Sequence, residues 1–128
     1  MPIIDHNKIL EVPWRPGYRK WDIVESNTGM NTNLSYSIAD VGTGAPLHLH
    51  EDDELIVVIE GQLEVQIGEE KQIVGPDHTI AIPPSIKHGF KVVGSRPARL
   101  MVFFPVINPF ERTTYIEGEN PALAEKVD

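Results

Sequence analysis

His48 and His50 stand two residues apart, and Glu54 follows four residues after His50, in a run that opens at Gly42 and closes at Gly61. A further histidine, His88, arrives about one hairpin later in Pro83-Pro84-Ser85-Ile86-Lys87-His88. Three imidazoles and one carboxylate suit a divalent transition metal. On a strand, residues i and i+2 share a face, so an extended 46–50 would direct both imidazoles one way and Leu49 the other. Pro46 favours an extended or turn conformation over helix. Glu51, Asp52 and Asp53 form a polar break, and a bend there would swing Glu54 back toward the imidazoles. His88 must come from a separate strand, which a closed sheet allows. Four protein ligands on a six-coordinate ion leave two positions open, the mark of a working site rather than a closed structural one. Imidazole suits Fe, Ni, Cu and Zn, and the carboxylate broadens the set to Mn, so one such ion per chain is expected. Three imidazoles that each titrate near ~6.5 would have to lose protons together, which predicts a steep fall in metal affinity below about 6.

The segment resembles the first motif of the cupin superfamily, G-x5-H-x-H-x3-E-x6-G, at every fixed position: Gly42, His48, His50, Glu54 and Gly61. The second motif, G-x5-P-x-G-x2-H-x3-N, matches at Pro83 and His88. Asp77, Ser85 and Val92 stand where its two glycines and its asparagine are expected, and Gly75 comes two residues too early. The resemblance covers roughly 33–107. It implies an all-β fold, a single cupin β-barrel of the double-stranded β-helix or jelly-roll type. Many cupins with this ligand set are dioxygenases, so it also implies Fe(II)-type oxidation of a small chelating substrate such as an enediol, a diketone or a phenol. Two alternatives stay open. One is Lewis-acid isomerisation, cyclisation or elimination on a sugar acid or polyketide, with His78 or a tyrosine moving the proton. The other is a small-molecule binder without turnover.

The elements that must position these groups read as short strands. Ten glycines and eleven prolines punctuate brief apolar runs, an all-β signature. Candidate strands are Tyr18–Val24, Asn33–Val41, Glu54–Glu60, Gln62–Ile67, Gln72–Val74, Thr79–Ile82, His88–Val93 and Ala98–Val106. Glu54–Glu60 and Gln62–Ile67 form a hairpin about Gly61, which supplies a positive φ. Asn33–Val41 alternates, with Leu34, Tyr36 and Ile38 on one side and Asn33, Ser35 and Ser37 on the other. Barrel strands alternate inward and outward side chains, so Phe90 and Val92 share the face of His88 and are candidates for the pocket wall. Tyr36, Ile56, Met101 and Phe103 complete that candidate set. The whole chain, 1–128, is expected to be one domain, with a barrel core at about 33–107, N-terminal strands within 1–32 and an acidic, mobile tail at 108–128. Ala122–Lys126 is a short helical candidate in that tail.

His78 is more readily a solvated turn residue than a member of the site, His6 is incidental, and the acid run 51–53 is more readily a solvated loop than a ligand set. Arg15, Arg19, Arg96, Arg99 and Arg112 can each grip a substrate carboxylate, and sequence does not choose among them. Trp14 and Trp21 suit either substrate contact or a subunit interface. Eleven basic residues against nineteen acidic leave a net charge of −8, which disfavours nucleic acid and anionic membranes as partners. No run approaches 18 apolar residues, nothing resembles a signal peptide, and there is no cysteine, so a cytoplasmic protein acting on a small molecule is expected. Ile3, Ile4, Ile9, Leu10, Trp14, Tyr18 and Trp21 lie outside the motif core, and so much apolar surface predicts a homodimer.

Overall fold

Short apolar runs separated by turn residues become eleven strands among the residues described by the computed structural model, 3–24 and 28–118. They are β1 (Val12–Arg15), β2 (Tyr18–Val24), β3 (Asn33–Ala39), β4 (Gly44–His50), β5 (Glu54–Glu60), β6 (Gln62–Ile67), β7 (Glu70–Val74), β8 (His78–Ile82), β9 (His88–Val93), β10 (Ala98–Phe104) and β11 (Thr113–Tyr115). One antiparallel sheet has the order β1-β2-β3-β10-β5-β8 and the other β11-β4-β9-β6-β7. This is the expected jelly roll. Its apolar core lies between the sheets, where Ile56, Val58, Leu63, Val92 and Leu100 are at most 2 % exposed. Each such side chain contributes roughly 1.5–3 kcal/mol by leaving water.

Gly61 turns β5 into β6 at φ +84°, and a Cβ there would come within 2.7 Å of Ala98 Cα. Only glycine meets both demands. Gly44 serves a different purpose: any side chain on it would overlap the Phe90 carbonyl. Its absence lets β4 close on β9, and the same pairing sets His48 opposite His88.

Three sequence expectations need correction. The alternation in β3 is real, but its polar side faces inward: Asn33, Ser35 and Ser37 are at most 5 % exposed, whereas Leu34, Tyr36 and Ile38 face outward. Tyr36 packs on Trp21 at 5.8 Å and lies across from Met101, while Phe103 lies between Leu34 and Leu55. Tyr36, Met101 and Phe103 therefore form part of an apolar outer sheet face, not the pocket wall. Val92 does point inward, but it is sealed in the core and does not reach the cavity described below. The segment expected to be a mobile tail contains a 3₁₀ turn, Pro109–Arg112, and then β11, which pairs with β4 in the register Thr113↔His50 and Tyr115↔His48. Ala122–Lys126 lies outside the described residues.

Candidate metal centre

The strand period does what the H-x-H spacing predicts. Along β4, His48 and His50 are buried while Leu49 is half-exposed on the opposite face. The chain bends at Glu51 and Asp52, and Glu54 opens β5 with its side chain turned inward. His88 opens β9 after a turn whose Ser85 N–H donates to the His50 carbonyl at 2.8 Å. Ser85 and Asp77, which fill the glycine places of the second motif, both adopt φ +64°, so the left-handed turns persist without glycine.

One donor atom from each of His48, His50, Glu54 and His88 lies within 4.8 Å of the other three, and all four residues are buried. Each imidazole is oriented through its Nδ1, which faces a backbone carbonyl: Pro46 at 2.7 Å for His48, Asp52 at 3.2 Å for His50 and Ile86 at 2.8 Å for His88. An Nδ1–H donated to a carbonyl fixes the tautomer and leaves Nε2 for an ion. The Nε2 atoms of His50 and His88 converge on Glu54 Oε1 at 3.0 and 3.1 Å. This arrangement of borderline and hard donors, with each imidazole braced from behind, fits a divalent transition ion.

The electrostatics distinguish the ligands. Burial, with His88 alongside, lowers the His48 pKa to about 4. Burial also pushes His50 down, but the hydrogen bond and charge of Glu54, helped by Asp52, outweigh it and raise the value above the ordinary one. Burial alone would raise Glu54, yet its bonds to His50 and His88 bring it down to about 2. The Glu54 carboxylate thus favours the protonated form of its His50 partner. The neighbouring acids are otherwise engaged: Arg112 binds Glu51 at 3.0 Å and Asp52 at 3.3 Å.

The ligands face a cavity of about 50 Å³, room for an ion and a few waters. Of the expected wall residues, Ile56 and Phe90 line it. Of the five arginines, Arg15 lines it, while His78 sits exposed at a separate depression beside β7 and β8. Sequence reasoning missed much of the remaining wall. Tyr18 and Lys20 come from β2, Ser35 and Ser37 from β3, and Phe104, Phe110 and Tyr115 from the C-terminal side, whereas Trp14 of β1, which the sequence offered for either substrate contact or a subunit interface, also lines the cavity. Tyr115 stacks on His48 at 5.0 Å and 15°, and Arg15 Nη2 donates to its hydroxyl at 2.8 Å. Tyr18 is buried enough that its pKa rises to about 12. The period-2 pair Tyr18/Lys20 was the available signal, since both must share one face of β2.

Comparison with known proteins agrees with this architecture. Residues 36–104 match the family described as the Cupin domain. The polyketide synthase CurC of Streptomyces cyaneus is 30 % identical over 81 residues, which span 62 % of this chain and about half (53 %) of that relative. Among solved structures, the polyketide cyclase RemF from Streptomyces resistomycificus superposes with a TM-score of 0.75 at 20 % identity, covering 99 % of this chain and 94 % of RemF. KdgF from Halomonas sp. gives a TM-score of 0.70 at 19 % identity, covering 82 % and 94 %. Among the described residues, no helix is long and apolar enough to cross a membrane. With its barrel, its buried His–Glu group and the match across 36–104, the chain belongs to the cupin family.

Proposed function

We propose that the chain is a metal-dependent enzyme that performs non-redox carbonyl chemistry, cyclisation or isomerisation, on a small planar chelating substrate. The observation that carries this reading is the phenol beside the ligand cluster: Tyr115 stacked on His48 and held by Arg15. Held by His48, His50, Glu54 and His88, a divalent ion would supply Lewis-acid polarisation of a substrate carbonyl. Arg15 occupies one acceptor side of Tyr115 Oη and leaves the phenolic proton for substrate. Burial raises the Tyr115 pKa against the opposing guanidinium, so the phenol stays protonated at neutral pH and acts as the proton donor. Phe90, Phe104 and Phe110 keep water from the reacting atoms. The whole-chain likeness to a polyketide cyclase supports the same class of chemistry.

The competing reading is Fe(II)-type dioxygenation, which the three-imidazole, one-carboxylate donor set suits equally well. Turnover of a panel of enolisable 1,3-dicarbonyls and uronates under strict anaerobiosis separates the two. Anaerobic turnover is the expected result, with kcat reduced by about 100-fold in Tyr115→Phe at unchanged metal content. Oxygen uptake in proportion to substrate would overturn it.

A two-fold homodimer is part of this proposal; of the N-terminal apolar residues, Trp21 packs on Tyr36 at the outer face of the larger sheet. Trp14 and Tyr18 are turned into the cavity. Ile3 and Leu10 are 85 % and 86 % exposed, and the surface proposed for pairing is the outer face of the larger sheet, where Leu55, Val57 and Ile59 are 38–43 % exposed beside Met101 and Phe103. Light scattering at micromolar concentration should give twice 14.3 kDa, and Val57→Lys should halve it. A parent mass of 14.3 kDa would reject the dimer.

A further inference from the structure

Three hydroxyls stand together on one wall of the cavity that holds the four ligands: Tyr18 from β2, and Ser35 and Ser37 from β3. They are 7 %, 3 % and 1 % exposed. A hydroxyl taken out of water costs free energy unless hydrogen bonds offset it, so such a row calls for a use. In the pairing of β2 with β3, Tyr18 lies opposite Ala39 and Ser37 opposite Lys20, which makes Tyr18 and Ser37 diagonal neighbours. Their hydroxyls bond to each other. Two hydroxyls carry two protons, and one bond between them takes up one, whichever way it runs. The pair can therefore give a second proton to a third group, and the space that both side chains line is the cavity. The Glu54 carboxylate and the Tyr115 phenol are near enough to bear on the charge state of Tyr18, which sets its hydroxyl at the ligand end of that space. Phe90, from the other sheet, packs 6.3 Å from the Tyr18 ring. Both β2 and β3 are bonded to neighbours on each side, so this wall is a fixed one.

We propose that Tyr18, positioned by Ser37, makes the site selective for a polyoxygenated substrate: a planar molecule whose chelating pair of oxygens faces the four ligands and whose further oxygen, a neutral hydroxyl or ketone, accepts a hydrogen bond from the Tyr18 hydroxyl. This rests on the metal-dependent reading above and adds the substrate class to it. Burial holds the Tyr18 pKa at about 12 in spite of the Ser37 bond, so the phenol keeps its proton and acts as a donor. The cavity of about 50 Å³ has to widen for such a molecule. Trp14 stands on the edge strand β1 and Phe110 in the 3₁₀ turn, and these yield more readily than the inner strands that carry the hydroxyls. A site built to bond an oxygen rejects the analogue that lacks it, because its own polar groups then go unpaired.

The test uses protein loaded with zinc, which does not oxidise phenols, and catechols that differ in one group. The pairs are 1,2,3-trihydroxybenzene against 3-methylcatechol, 1,2,4-trihydroxybenzene against 4-methylcatechol, and 3,4-dihydroxybenzyl alcohol against 4-ethylcatechol. Members of a pair share the chelating end and nearly the same shape, so their affinity ratio, read by calorimetry, reports on the further oxygen. Catechol itself reports on the metal. The expected result is a hydroxyl member bound roughly tenfold or more tighter than its alkyl partner in at least one pair. Tyr18→Phe should bring that ratio to within about twofold, or reverse it, while catechol binds as it does to the parent. Ser37→Ala keeps the phenol but removes its partner and should lower the ratio at least about threefold; Ser37→Thr should preserve it. Ser37→Ala decides on the same ratio if Tyr18→Phe folds poorly. Equal binding within every pair, a preference that survives Tyr18→Phe, or one unchanged in Ser37→Ala overturns this assignment alone. Failure of the loaded protein to bind any catechol overturns the chelating reading of the site, and this proposal with it.

Discussion

Replacing His50 with alanine is expected to strip the ion from the protein. Loss of a mere outer partner of a metal ligand costs about 10–100-fold in affinity, so loss of the ligand itself should exceed about 100-fold. His50 also carries one of the two contacts that compensate the buried Glu54 carboxylate. Its removal leaves that charge to His88 and should cost stability on the order of 3–5 kcal/mol in the metal-free protein. Elemental analysis and chelator competition read the first effect, and urea denaturation reads the second. The parent stripped by a chelator should keep its β circular-dichroism spectrum, because the apolar core around Ile56, Leu63 and Leu100 does not involve the ion. Metal content in His50→Ala equal to that of the parent would refute the ligand assignment.

The second large effect is with pH, and its form differs from the single steep fall that three ordinary imidazoles would give. The folded-state pKa of His48 is lowered to about 4, so between about 6.5 and 4 the unfolded chain takes up a proton that the folded one refuses. Metal-free stability should therefore fall across that window, by about 3 kcal/mol at most. His50 has the opposite sign. Its raised value contributes stability fully below the ordinary 6.5, which is lost as pH rises through the folded value. Glu54 contributes above its ordinary 4.5 and loses that contribution as pH falls toward about 2. For metal, protons compete at His50 from above the ordinary imidazole range, whereas His48 stays out of the contest until about 4. The expected affinity profile is broad and staged. Chelator competition between pH 4 and 8 would show it. A flat profile would assign the ion to carboxylates such as Glu51, Asp52 and Asp53, and one steep drop below about 6 would mean that His48 titrates normally.

The ligand set was legible because its signal is local. His48 and His50 share a strand face by spacing alone, and the hairpin about Gly61 matched the bounds of β5 and β6. Periodicity separated the two sides of β3 but could not tell which side faces in. The usual rule, apolar inward, failed because this interior must house polar groups beside the site, and Ser35 and Ser37 line it. Tyr115 was illegible for another reason. It lies on a three-residue strand, and its partner Arg15 is 100 positions earlier in the chain. No window along the sequence contains both. Lys20 sits in a segment correctly read as a strand, but without the inward face of β2 assigned it looked like any exposed lysine.

All four candidate ligands fall within residues 36–104, the stretch that matches the family. Trp14, Arg15, Lys20, Phe110 and Tyr115, which complete the cavity, come from either side of it. Ile56, Phe90 and Phe104 add to the wall from within that stretch, but on the function proposed above the ligands and much of the remaining wall are written in different parts of the chain, like a tool holder and its exchangeable bit. A flank can be rewritten without touching the residues that would hold the ion, so new substrates are reachable by exchanging ends while the central barrel is kept. Such an exchange between barrels of this kind should carry selectivity across and leave metal loading behind unchanged.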